Sequence, residues 1–250
     1  MKPISLPQFT LEKNTLQDQV ILITGASRGL GRCLALKVAE YGATTILMGS
    51  NLKKLESVYD QIVDNGWVEP ALQPINFLGA GPKEIQDISQ SVKKMFGRLD
   101  GVIHNAAKLG QVCPIANMPP HKWQEAIHVN LNIPFMLTHS LLPLLSKSDK
   151  AKIIFTGDMN TQPAQAYWSA YAASKQGVTA ISQSLAEELE GTNIQVNCVY
   201  PPELRTSLRV NHFPGINPES FIAPESITHN YIYLLSKQCT LHGRDIALSV

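Results

Sequence analysis

Tyr171 is followed four residues later by Lys175, with Ala172, Ala173 and Ser174 between them. In a helix, positions i and i+4 lie one above the other on the same face, so this phenol and this ammonium would project side by side. A free tyrosine titrates near pH ~10 and is a poor acid or base at neutrality. A fixed ammonium beside it favours the phenolate and lowers that pKa toward the working range. So paired, Tyr171 is expected to give a proton to a carbonyl oxygen or take one from an alcohol. The same spacing also suits an ordinary exposed helix face, so the reading needs support from the rest of the chain.

That support begins near the start. Gln19–Thr24 is a short apolar, β-branched run that reads as a buried strand. It runs into Gly25, Ser27, Arg28, Gly29, Leu30 and Gly31, and then into Arg32–Tyr41 with helical apolar spacing. Strand, glycine loop and helix are the context of a dinucleotide site. Glycines permit the tight turn and let the backbone approach a pyrophosphate at the helix N-terminus.

The totals narrow the possibilities. With 250 residues, 44% of them hydrophobic and 16% charged, the chain is long and apolar enough to bury a sizeable core. A formal net charge of +1 removes the electrostatic argument for nucleic acid. Cys33, Cys113, Cys198 and Cys239 have no C-x-x-C spacing, and the seven histidines have no ligand spacing, so no metal site is expected. No apolar run is long enough to span a bilayer, and Met1–Leu16 has no apolar signal core, so a soluble cytoplasmic protein is expected.

The glycine spacing is G-x-x-x-G-x-G, preceded by Thr24. With Tyr171 and Lys175 it resembles the short-chain dehydrogenase/reductase superfamily, whose single-domain members open with T-G-x-x-x-G-x-G. The resemblance covers roughly Leu16 to Leu248. It implies an α/β, doubly wound Rossmann fold, a single domain over residues 1–250, and a seven-stranded parallel sheet of order 3-2-1-4-5-6-7 with helices on both faces. It also implies an oxidoreductase moving hydride between a nicotinamide cofactor and a small-molecule carbonyl or alcohol. A homodimer or homotetramer through helices at 119–146, bent around Pro134, and at 166–190 is implied as well.

Particular residues carry over from the same resemblance. Asn130, in Val129-Asn130-Leu131-Asn132, is the position that locally distorts its helix and completes a proton relay to Lys175. Asn76 and Phe77 would lie against the adenine. Asn105, Ala106 and Ala107 follow the fourth strand, where Ala107 replaces a glycine and is tolerable only with negative φ. Pro201, Leu204 and Thr206 would hold the nicotinamide carboxamide, with Pro202 in place of a glycine. Residues 207–223 would form the substrate lid, whose only charges are Arg209 and Glu219. The second strand ends at Ser50 and Asn51 with no acid to bind ribose hydroxyls, while Arg28 and Lys53 or Lys54 could meet a 2′-phosphate. NADP(H) is therefore favoured, with NAD(H) possible.

One departure bears directly on the chemistry. Thirteen residues before Tyr171, where relatives carry a serine that donates to the substrate oxygen, stands Asp158. A carboxylate only accepts hydrogen bonds, and its charge opposes a phenolate or a developing alkoxide. Three outcomes are open. A protonated Asp158 could donate, as in ketosteroid isomerase. A neighbour such as Thr156 or Asn160 could replace the missing donor. Or the protein could bind cofactor with weak or lost reductase activity.

Overall fold

The apolar run Gln19–Thr24 becomes a strand because both of its faces are covered. In β1 (Val20–Thr24), all five residues are buried. Val20 and Leu22 face one core, and Ile21 and Ile23 face the other. The computed structural model of the protein describes residues 3–210 and 215–250.

The remaining elements alternate in chain order. They are α1 (Gly29–Glu40), β2 (Thr44–Gly49), α2 (Leu52–Asp64), β3 (Ala71–Pro74), α3 (Pro82–Phe96), β4 (Gly101–His104), α4 (Pro120–Ile127), α5 (Ile133–Leu145), β5 (Ala151–Thr156), α6 (Ser169–Glu188), β6 (Ile194–Tyr200), α7 (Ser207–Val210), α8 (Thr228–Leu235) and β7 (Arg244–Ala247). All seven strands pair in parallel, in the order β3-β2-β1-β4-β5-β6-β7. The expected doubly wound α/β sheet is therefore present, with the order reversing between β1 and β4. That switch point opens a crevice at the strands' carboxyl ends.

The two cores are built differently. Leu34 and Val38 of α1, Leu55 and Ile62 of α2, and Tyr231 and Ile232 of α8 cover one face. Ile85 and Val92 of α3, Leu137 and Leu141 of α5, and Val178 and Leu185 of α6 cover the other. The edge strand β7 is bordered by the N-terminal segment, where Ile4 N donates to Asp245 O and Ala247 N donates to Ile4 O. At the amino end of the sheet, the buried Asp100 carboxylate accepts from Val20 N at 2.8 Å and from Ser148 Oγ at 2.6 Å.

Helix ends follow their capping residues. Asn51 accepts from Lys54 N at 3.0 Å and starts α2. Glu84 reaches back to Gly81 N at 2.9 Å, Pro82 opens α3, and left-handed Gly97 ends it.

The region expected to be one helix over 119–146 differs. The chain there is α4, then a π-helical turn at His128–Asn132, then α5. Ile133 N donates to His128 O, five residues back. The break lies at Asn130, just before Pro134. Proline lacks an N–H, and its ring clashes with the carbonyl four residues earlier, which here belongs to Asn130. Widening the turn relieves both conflicts. The helix expected over 166–190 is shorter at each end, because Trp168 precedes its first turn. Of the lid expected at 207–223, residues 211–214 lie outside the described residues. The described remainder includes α7 and a 3₁₀ turn at Pro218–Ser220.

Candidate active site

The glycine turn is tied to the sheet by one threonine. Thr24 Oγ1 accepts from Asn105 N at 3.0 Å and from Ala106 N at 2.9 Å, while Asn105 Nδ2 donates to Thr24 O at 3.0 Å. These contacts lock the carboxyl ends of β1 and β4 together. Gly25 holds φ at +71°, and a Cβ on Gly31 would lie 2.1 Å from Gly25 O and 2.6 Å from Asn105 Nδ2. No side chain caps α1, and its first turn carries no acidic residue. Its first N–H groups therefore remain open to an anion at the end of the helix where the dipole favours one.

Above this turn lies a cleft of about 750 Å³. The catalytic and cofactor residues named from the sequence line it, except Asn130 and Lys53. Thus the glycine loop, Ser50 and Asn51, Asn76 and Phe77, Asn105–Ala107, Pro201, Leu204, Thr206, Asp158, Tyr171 and Lys175 form one continuous wall. Volume, glycine turn and uncapped helix suit an extended dinucleotide. Arg28, Ser50 and Lys54 share the end beyond β2, whereas Lys53 does not line the cleft. Ala107 is not among the described non-glycine residues with positive φ, so its Cβ is accommodated as expected. Asn76 turns its own loop by accepting from Leu78 N at 3.2 Å. Leu204 is held from behind, where Ile222 N donates to Glu203 O and Arg205 N donates to Ile222 O.

Asn130 stands behind the wall. Its Oδ1 accepts from Lys108 N at 2.7 Å, and its Nδ2 donates to Lys108 O at 2.8 Å and to Ser174 Oγ at 3.0 Å. Ser174 Oγ in turn donates to Tyr171 O at 2.8 Å. The π turn thereby fastens the loop after β4 to α6 and sets where α6 presents its face.

On that face Tyr171 and Lys175 are buried together, with the Lys175 ammonium 5.9 Å from the phenol ring centroid. Lys175 Nζ donates to Thr156 O at 2.7 Å, at the end of β5. The tyrosine hydroxyl donates to Asp158 Oδ2 at 3.0 Å. The expectation that Lys175 depresses the phenol pKa is corrected by these surroundings. Burial, then the Asp158 charge, then the hydrogen bond to Asp158 hold Tyr171 well above the ordinary tyrosine range, and the Arg209 charge opposes them. Burial lowers the Lys175 pKa, while the Asp158 charge pushes it back up.

Two neighbours considered as replacement donors are directed elsewhere. Asn160 Nδ2 donates to Glu203 Oε1 at 3.3 Å. Thr156 lines the cleft, but its hydroxyl is shielded from solvent. Arg209, by contrast, lines the cleft, with its guanidinium 5.8 Å from the Trp168 ring centroid and 3.6 Å from Asp158 Oδ2. Its type and its place in a polar loop gave no sign of this. The other lid charge, Glu219, pairs with Arg205 at the surface. Among the described residues no group of three or more His, Cys, Asp or Glu side chains could hold a metal, and no helix is long and apolar enough to cross a membrane.

The profile of the short chain dehydrogenase family matches residues 19–216. The chain belongs to this family. The oxidoreductase YciK of Escherichia coli K12 is 39% identical over 224 residues, covering 90% of this chain and 88% of that protein. A short chain dehydrogenase from Shigella flexneri 2a, solved in complex with NADP, superposes with a TM-score of 0.91 at 37% identity, covering 94% of this chain and 99% of that one. One from E. coli CFT073, in complex with NADPH, gives a TM-score of 0.90 at 38% identity over the same shares. This short chain dehydrogenase is accordingly an oxidoreductase of a family that uses nicotinamide cofactors.

Proposed function

We propose that the protein is an NADP(H)-dependent oxidoreductase that interconverts a small carbonyl compound and its alcohol, with Tyr171 as the acid/base. The observation that carries this reading is the convergence of Tyr171, Lys175 and Asp158 on the same cleft as the glycine turn. The cofactor, when bound, supplies or accepts hydride. Arg28, Ser50 and Lys54 would meet its 2′-phosphate, in keeping with the NADP and NADPH held by the two structural relatives. Lys175 would hold the nicotinamide ribose and Tyr171 would exchange the proton with the substrate oxygen. Asn130 keeps both side chains aligned from behind and would complete the proton relay. A cytoplasmic homodimer or homotetramer belongs to the same proposal, with Trp123 on α4 and Phe135 on α5 as exposed apolar residues.

The raised Tyr171 pKa favours the reductive direction. A phenol that keeps its proton is an acid throughout the neutral range. Reduction should therefore hold from neutral pH upward and fall only when Lys175 or Tyr171 deprotonates. Oxidation, which needs a proton acceptor, should climb with pH over the same span. NADPH turnover over a ketone and aldehyde panel tests the assignment. Tyr171→Phe should lower it by about 10²–10⁴, and equal turnover by both proteins would remove Tyr171 from the mechanism.

A second reading, a cofactor-binding protein with weak or lost reductase activity, draws on the Asp158 carboxylate occupying the Tyr171 hydroxyl. A gain of about 10² or more in Asp158→Ser would favour it, whereas a loss would favour a working aspartate.

A further inference from the structure

The serine position of this family normally supplies a second hydrogen-bond donor to the substrate oxygen, and in this chain that position holds an acceptor. A donor nevertheless stands nearby. Arg209 Nη2 lies 3.6 Å from Asp158 Oδ2, the same oxygen that accepts from the Tyr171 hydroxyl at 3.0 Å. A phenol and a guanidinium thus face one carboxylate oxygen at the cleft wall, the phenol in a hydrogen bond and the guanidinium in an ion pair, and a short approach by a substrate oxygen would bring both donors to bear on it.

Among the described residues the guanidinium is held from three sides. Asp158 faces Nη2, Glu203 Oε1 lies 3.4 Å from Nη1, and the Trp168 ring lies beneath it at 5.8 Å. Trp168 itself packs edge-on against Tyr171, with the ring centroids 5.8 Å apart. Leu208, the preceding residue of α7, packs against Leu109, Trp168, Tyr171 and Ala172. The side chain of Arg209 is 11% exposed, a low value for an arginine beside a water-accessible cleft, and it reaches the cleft through that remainder. An arginine set between two carboxylates and an aromatic face has little conformational freedom left to lose when a substrate arrives.

We propose that Arg209 is the electrophilic catalytic residue of this enzyme, donating to the substrate carbonyl oxygen in place of the family's serine, with Asp158 as the positioning residue that aims it. This rests on the reductase reading above. In the reduction the carbonyl carbon gains hydride from the reduced nicotinamide. The π pair moves onto oxygen, and that oxygen takes the Tyr171 proton. Arg209 keeps its own protons and lends only hydrogen bonds and charge. The phenolate left on Tyr171 is reprotonated from solvent. The substrate class that follows is a neutral ketone or aldehyde. An anionic group beside the carbonyl would meet the Asp158 and Glu203 carboxylates.

The experiment is a double-mutant cycle read as kcat with NADPH and the ketone or aldehyde of the panel that the parent turns over fastest. Arg209→Ala in the parent should cost about 10²–10³ in kcat, the loss typical of one oxyanion donor. In an Asp158→Ser background, where a hydroxyl again donates, the same change should cost less than about fivefold. Arg209→Lys, which keeps charge and loses the fork, should fall between the two in the parent. Equal penalties in both backgrounds would mean that Arg209 only packs the lid, and no penalty in the parent would mean that it is a bystander. Either result overturns the proposal.

A second readout needs no turnover. The cofactor-free protein is titrated for tyrosinate by ultraviolet difference, with Tyr171→Phe as the blank. Among the described residues the charges facing this phenol are Asp158 after β5, Lys175 on α6 and Arg209 on α7, with Glu203 reached through Arg209. Asp158→Asn should bring the Tyr171 transition to lower pH, and adding Arg209→Ala to that variant should move it back up. No movement on removing the arginine would place its charge too far from the phenol to act. A parent that reduces nothing on the panel, or a fully active Tyr171→Phe, defeats the reductase reading itself. A reactive parent with an inactive Tyr171→Phe and a fully active Arg209→Ala defeats only the arginine assignment.

Discussion

The cleft has two ends that are constructed on opposite principles. At the nucleotide end, recognition belongs to the backbone. Thr24, Asn105 and Ala106 lock two strand ends together, the glycine turn leaves no room for a Cβ at Gly31, and α1 begins without a side-chain cap. At the substrate end, recognition belongs to side chains from separate segments. Asp158 follows β5, Trp168 precedes α6, and Arg209 lies on α7. A surface made of peptide groups accepts few substitutions and keeps its ligand. A surface made of side-chain tips changes with single residues, and here a carboxylate and a guanidinium lie side by side on it.

The sharpest break in the comparison is expected at the nucleotide end. Gly31→Ala forces the Gly25 carbonyl and the Asn105 amide apart and should cost about 3 kcal/mol or more. It should also abolish the rise in melting temperature that NADPH gives the parent. A normal ligand-induced shift in that variant would mean that the turn is softer than its contacts indicate.

Asn130→Ala tests the joint between the two ends. It leaves the half-buried Lys108 N–H and C=O without their partner, at about 1 kcal/mol for each lost hydrogen bond. The expected result is a lower melting temperature together with a fall in kcat larger than the change in NADPH affinity. Unchanged kcat would show that α6 keeps its place without this clamp.

Cofactor selection should respond more gently. Arg28→Ala and Lys54→Ala are each expected to weaken NADPH binding by about five- to tenfold, near 1 kcal/mol, and to leave NADH binding alone. Equal losses for the two cofactors would place the 2′-phosphate elsewhere.

A further effect, on stability alone, lies away from the cleft. Lys152 on β5 is buried and donates to Cys239 O at 2.6 Å, and burial lowers its pKa from 10.5 to about 8. The unfolded chain therefore binds an extra proton between about pH 8 and 10.5, and stability gains a positive slope with pH over that window. Urea unfolding at both ends of the window should show this slope in the parent and not in Lys152→Met, provided the comparison is made as a difference between the two proteins.

The same division governs what could be read in the sequence. The Gln19–Thr24 run, the glycine spacing and the Pro82–Phe96 helix are determined by neighbours a few residues apart, and they fold as their local pattern demands. The Tyr171–Lys175 pair is local too, and its shared face was legible. What its environment does to the phenol was not, because Asp158 and Arg209 meet only after folding. The π turn was half legible. The resemblance pointed to a distortion at Asn130, while helical periodicity carried on through it toward Pro134. Arg209 lay in a polar loop without periodicity, and nothing near it in the chain signalled that Trp168 and Asp158 would receive it.

The turn at Asn130 also limits how this protein can be improved. Between His128 and Asn132 the chain carries one residue more than an α-helix would use. Deleting it would mend the backbone ladder and give a straighter rod, a change that screening for heat resistance could reward. It would also swing everything on one side by about 100° about the axis, taking the amide of Asn130 off Lys108 and Ser174. Selection for toughness and selection for turnover therefore pull that single insertion in opposite directions.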